Sequence, residues 1–148
     1  MSASPVNAPF GSVLAGQMAV AWYREGRWSP TEIRPLGPLE IHPDAHVLHY
    51  GSECFEGFKA YRHADNSVHV FRMDRHLARM QQSARALILP EPDAAQLAAA
   101  VTTLIDRVRA DVPAAPAALY LRPLLFGTMA NIGAAAQPSN EACLVVLA

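Results

Sequence analysis

Lysine is almost missing from this sequence. Of the 12 lysine and arginine side chains in 148 residues, Lys59 is the single lysine. Any chemistry that needs a side-chain primary amine from this chain therefore has one residue to use. Cysteine is scarce as well. Cys54 and Cys143 lie far apart with no C-x-x-C spacing, which argues against a thiolate metal site or a disulfide framework and leaves a reduced cytoplasmic setting as the default. Twelve basic residues against 13 acidic ones leave a net charge of −1, so nothing electrostatic favours nucleic acid or a membrane surface. No apolar run approaches the roughly 20 residues of a membrane span. The opening "MSASPVNAPFGSVLAGQ" has no basic stretch before its apolar residues, which Gly11, Gly16 and Gln17 interrupt, so it does not read as a targeting segment. There is no G-x-S-x-G, no Walker loop, and no G-x-G-x-x-G leading into a helix. The six histidines lack metal spacing, and His46 and His49 read as local hydrogen-bonding residues.

What is present suits one soluble globular domain: 51% hydrophobic residues and 17% charged ones, in a chain long enough to bury a core. Residues 1–16 are small and aperiodic, and are expected to form a mobile tail before a domain over 17–148. "MAVAWYREGRW" reads as strand, turn at Glu25–Gly26, strand. The proline-interrupted stretch that follows predicts short edge strands and loop. Strands are predicted over Cys54–Arg62 and Val68–Arg72, joined by the turn formers of "HADNS". Met73, Leu77, Met80, Ala84 and Leu87 then make one helical stripe. Asp93 and Gln96 form a capping-box pattern before a second helix, which buries Leu97, Val101, Leu104, Ile105, Val108 and Val112. "ALYLRPLLF" and "ACLVVLA" return to strand. The order predicts an α+β domain, a mostly antiparallel sheet with two helices packed on one face. The apolar strand at the end stops without turn or cap, which reads as a chain that continues past Ala148.

Strand alternation groups the candidate residues. Phe55, Gly57, Lys59 and Tyr61 share one face, while Cys54, Glu56, Phe58 and Ala60 share the other. A glycine inside a strand marks either a close ligand or a bulge or tight sheet packing. Tyr120 and Arg122 share a face opposite Leu119, Leu121 and Leu125. An arginine there meets an anion, or simply lies at an exposed strand position. On the first helix Arg75 lies opposite the apolar stripe and reads as solvated. Arg72 and Arg79 sit together on its flank, either as a charged face or as an anion site.

Taken together, "HVLHYGSECFEGFKAY", "VFRMDRHLARMQQSA" and "LYLRPLLFG" resemble the N-terminal part of the fold-type IV pyridoxal-phosphate enzymes, and most of all the branched-chain amino-acid aminotransferases. Their order and spacing match from about residue 17 onward. The resemblance implies transfer of an amino group between a branched-chain L-amino acid (leucine, isoleucine or valine) and 2-oxoglutarate, with pyridoxal 5′-phosphate as cofactor and a cytoplasmic homodimer or higher homo-oligomer as the assembly. D-amino-acid aminotransferases and aminodeoxychorismate lyases share the fold and are the nearest alternatives; a non-catalytic remnant domain is another. By the same resemblance Arg79 matches the residue that contacts the cofactor phosphate. Phe55 matches a pocket aromatic, with Gly57 leaving room beside it, and Tyr120 and Arg122 match a strand pair lining the substrate pocket. Tyr50 matches a tyrosine lent across the dimer interface. The pattern departs from the family at "NIGA", where Ala134 stands at a position often held by valine. The Schiff-base lysine of the family lies further along than Ala148, so Lys59, which falls at the Lys/Arg position after Phe-Glu-Gly, is expected to be structural and the chain to be inactive alone.

Overall fold

The computed structural model describes residues 9, 11–133 and 137–148. Its strands are β1 Gln17–Arg24, β2 Arg27–Trp28, β3 Glu32–Pro35, β4 Glu53–Phe55, β5 Phe58–Arg62, β6 Val68–Val70, β7 Leu119–Gly127 and β8 Ala142–Leu147. They form one eight-stranded antiparallel sheet in the order β2-β1-β8-β7-β5-β6, with β3 also on β1 and β4 also on β7. A short helix, α1 (His46–Tyr50), precedes β4, and two longer ones, α2 (Met73–Ala86) and α3 (Ala94–Arg107), pack on one face of the sheet, as the apolar stripes predict. The β1–β2 turn is tight because Glu25 and Gly26 both take positive φ, 52° and 77°, the geometry that matches the twist of paired strands.

The helix-covered face holds the main core. Met80, Leu97, Leu104, Leu121, Leu125 and Leu144 are almost completely buried there, each worth about 1.5–3 kcal/mol relative to exposure. Asp93 caps α3 by accepting from the Gln96 N–H at 2.7 Å. The Gln96 side chain does not reach back to complete the capping box; it donates to the Ser29 carbonyl at 3.1 Å and ties α3 to the sheet. The opposite face carries a smaller cluster of Met18, Val20, Phe126, Cys143 and Val145, against which Leu39, Ile41 and Val47 pack.

Two differences from the predicted elements bear on the site. Residues 46–50, within the stretch predicted as short edge strands and loop, form the one-turn helix α1, closed by Gly51 in the left-handed region at φ 60°. Five residues are too few to show a helical period. The expected single strand Cys54–Arg62 is split at Glu56–Gly57 into β4 and β5, although both halves keep the same register against β7. The cause is Pro123. Its carbonyl accepts from the Glu56 N–H at 3.0 Å, but proline has no N–H to return, so the ladder is incomplete at this point. Of the segment 1–16, Ala15 donates its N–H to the Ala148 carbonyl at 2.7 Å.

Candidate functional site

The unbroken register makes strand alternation hold across the gap. Phe55, Gly57 and Lys59 lie on the face that carries Tyr120, Arg122 and Leu124, opposite the helices. Phe55 is half-exposed, and the Arg122 guanidinium lies over its ring at 4.4 Å. Arg122 also donates to the Tyr120 hydroxyl at 3.2 Å and sits 5.6 Å from that ring's centre. A planar cation stacked on an aromatic ring is held without a counter-ion. Gly57 makes the arrangement possible. A Cβ there would stand 2.8 Å from Tyr120 Cζ and nearer still to its hydroxyl oxygen. The space the glycine leaves is thus filled by Tyr120, which favours tight packing as the reason for this residue.

Glu56 points the other way and is 4% exposed. Burying a carboxylate is costly unless it is paired. Here it is held by two residues three apart on one face of α2. Arg79 donates from Nε to Oε1 at 2.5 Å and from Nη2 to Oε2 at 2.6 Å, while His76 Nδ1 lies 3.1 Å from Oε2. Burial pushes the Glu56 carboxyl up, but the hydrogen bonds and charges of Arg79 and His76 outweigh it and hold the group below its ordinary 4.5. The His76 ring is itself fixed, stacked on Phe58 with centroids 5.0 Å apart. Arg79 keeps its outer side exposed. Sequence reasoning missed Glu56 and His76 as members of a site. The signal was their alternation and three-residue spacing, but neither shows that a strand carboxylate meets that helix face.

The third group is a clasp that joins α1 to Ile132 and Gln137. His46, buried, pairs through Nδ1 with Ser52 Oγ at 2.8 Å and through Nε2 with the Gln137 carbonyl at 3.1 Å. An Nε2 facing a carbonyl must carry the proton, so His46 donates to Gln137. One turn on, Tyr50 donates its hydroxyl to the Ile132 carbonyl. His49, on the exposed side, hydrogen-bonds the Pro43 carbonyl at 2.9 Å. The structure therefore brings Phe55, Tyr120 and Arg122 together, places Tyr50 on α1 against the Ile132 carbonyl, and places Arg79 on the helix side of the sheet. Ala134 lies outside the described residues.

Lys59 is exposed on β5, opposite Tyr120 in register. The two thiols are suppressed. Burial, aided by Glu56 and Glu53, pushes Cys54 up to about 11. Burial raises Cys143 to about 12 despite Arg24 and Arg34. Among the described residues, no group of three or more His, Cys, Asp or Glu could hold a metal, and no helix is long and apolar enough to cross a membrane.

A carboxylate-braced arginine on one side of the strand pair 55–58 and 119–124, with a cation–aromatic platform on the other, falls within the segment that matches the amino-transferase class IV family model, residues 53–148. The chain belongs to the class IV aminotransferases. It is 44% identical over 127 residues to the branched-chain-amino-acid aminotransferase of Mycobacterium tuberculosis, covering 84% of this chain and 34% of that protein. It is 40% identical over 131 residues to the cytosolic branched-chain-amino-acid aminotransferase of Caenorhabditis elegans, covering 87% of this chain and 32% of that one. Among solved structures it is similar to the T.th. branched-chain amino acid aminotransferase complexed with N-(5′-phosphopyridoxyl)-L-glutamate. That match has a TM-score of 0.67 at 25% identity and covers 87% of this chain and 39% of the other. The chain spans about a third of the length of the curated relatives it matches.

Proposed function

We propose that the protein carrying this chain transfers an amino group between a branched-chain L-amino acid and 2-oxoglutarate, with pyridoxal 5′-phosphate as cofactor, and that this chain forms one wall of the site. The observation that carries the reading is the Phe55–Arg122–Tyr120 platform. Such an enzyme must accept an aliphatic side chain and a γ-carboxylate in turn. Phe55 offers apolar surface for the first; Arg122, resting on that surface and without an ion pair among the described residues, offers its donor fork to the second. Tyr120 orients the arginine through its hydroxyl.

The residues present fit a phosphorylated cofactor at Arg79. One edge of its guanidinium is bound to Glu56, and the exposed side retains donors for an oxyanion. When bound, pyridoxal phosphate supplies the electron sink that makes the substrate Cα proton removable. The work of this chain is to hold the phosphate and select the side chain, while the cofactor-bearing lysine lies elsewhere and Lys59 is structural. Tyr50 reaches a neighbouring pocket in a cytoplasmic homodimer, a part of the proposal supported by the exposed Leu48, Tyr50 and Ile132. Assay of the complete protein with leucine and 2-oxoglutarate is the direct test, and glutamate formation is the expected result. No glutamate, with turnover of D-alanine, would assign the chain to the D-amino-acid branch of the fold instead.

A further inference from the structure

Glu56 is a buried carboxylate in a position where the fold alone gives little reason for one. A buried ion pair adds little net stability, because the cost of desolvation offsets the attraction, and an apolar pair of similar volume serves a core as well or better. Its geometry is nevertheless elaborate. The Arg79 Nε–Nη2 edge is engaged at both Glu56 oxygens, and His76 holds Oε2 from the same helix. His76 is clamped by Phe58, and the backbone of Glu56 is tied to Pro123. Every part of the carboxylate is held, and the most exposed member of the cluster is Arg79, whose side chain is 63% exposed.

We infer that Glu56 is a positioning residue for anion recognition: it pins the Nε–Nη2 edge of Arg79 so that the opposite edge of the guanidinium is presented outward, already oriented, to the phosphate of the cofactor. This rests on the assignment of Arg79 to that phosphate. A guanidinium is planar with its donors in a fixed fork, so fixing one edge fixes the other. The sign of the effect separates this role from simple electrostatics. Glu56 carries a negative charge beside an anion site, so by charge alone its removal would tighten phosphate binding. If it positions Arg79, its removal weakens binding instead, because the arginine must then be ordered by the ligand. The loss is on the order of tenfold for freezing a long side chain.

The test uses the complete apoenzyme and two probes, pyridoxal 5′-phosphate and unphosphorylated pyridoxal, each titrated by fluorescence quenching. The quantity read is the ratio of their dissociation constants, which general damage to the fold leaves unchanged. Arg79→Ala should lower the preference for the phosphorylated probe by about tenfold or more, and Arg75→Ala should leave it alone, since Arg75 is exposed and pairs with Asp74. Glu56→Ala should lower the preference about tenfold; Glu56→Gln, which can engage only one of the two donors, about threefold. The double variant Glu56→Gln/Arg79→Ala should be no worse than Arg79→Ala. A normal ratio in Arg79→Ala overturns the assignment of Arg79 itself. A reduced ratio there with an unchanged or increased ratio in Glu56→Gln overturns the role of Glu56 and leaves Arg79 standing. Should Glu56→Ala fail to fold, the isosteric Gln variant decides.

Discussion

Gly57→Ala tests the platform most directly. The Gly57 backbone does not require positive φ, so an alanine there is strained by space alone, and the space is occupied by the Tyr120 ring. A Cβ 2.8 Å from Cζ falls short of ordinary carbon contact by about 1 Å. Tyr120 is the far end of a flexible side chain, but it is held by Arg122, which is in turn stacked on Phe55. The ring must therefore swing out and take the arginine with it. Overpacking of this kind costs about 1–3 kcal/mol. Two readouts follow for the complete enzyme: urea unfolding, and kcat/KM for 2-oxoglutarate, which should fall because Arg122 is displaced. The decisive arm is a cycle with Tyr120→Ala. With the ring gone, Gly57→Ala should cost under about 0.5 kcal/mol, giving a coupling of about 1 kcal/mol or more. An equal cost in both backgrounds, or no cost in either, would refute the claim that Gly57 is there to seat Tyr120.

Glu56 has a depressed pKa in the folded chain, so its stabilising contribution is intact above about 4.5 and is lost as pH falls through the depressed value, where the carboxylate that Arg79 holds is neutralised. Glu56→Gln cannot titrate, so the stability gap between the parent and the variant should close as pH drops below that point; parallel acid limbs would count against the pairing. At pH 8 the folded protein should resist iodoacetamide at both Cys54 and Cys143, whose thiols are raised to about 11 and about 12, while the unfolded chain should react at both sites by mass spectrometry. His46→Ala leaves Ser52 and the Gln137 carbonyl short of a partner and should cost about 1–3 kcal/mol in a denaturant titration; a neutral effect would mean that the clasp holds nothing.

Much of the fold was legible because its signals are local. The stripe from Met73 to Ala84 and the alternation of Leu119, Tyr120, Leu121 and Arg122 both report a period, and a period survives any tertiary setting that buries one face. The Glu25–Gly26 turn was legible for the same reason. What could not be read depended on residues distant in the chain. The break at Glu56–Gly57 is caused by a proline in β7, and nothing in residues 53–62 announces it. Alternation grouped Glu56 with Cys54, Phe58 and Ala60, but only the packing of α2 shows that this face is the inner one and that Arg79 and His76 meet Glu56 there. Gly57 raised the right question, yet the occupant of its space comes from another strand. Gln96 suited a capping box, and the carbonyl of Ser29, just past β2, competed successfully for its side chain.

Phe55 and Glu56 are consecutive in the chain and face opposite sides of the sheet, with Gly57 completing the segment. One short piece of main chain, attached to β7 at this point by the Glu56–Pro123 hydrogen bond, is thus mechanically common to the aromatic platform and to the braced arginine. The two sides cannot be altered independently. Enlarging or trimming Phe55 shifts a backbone whose next carboxylate sets the aim of Arg79, and a change that relaxes Glu56 loosens the ring on which Arg122 rests. For redesign of side-chain preference, this segment is best treated as a single lever, with compensating substitutions chosen on both faces together.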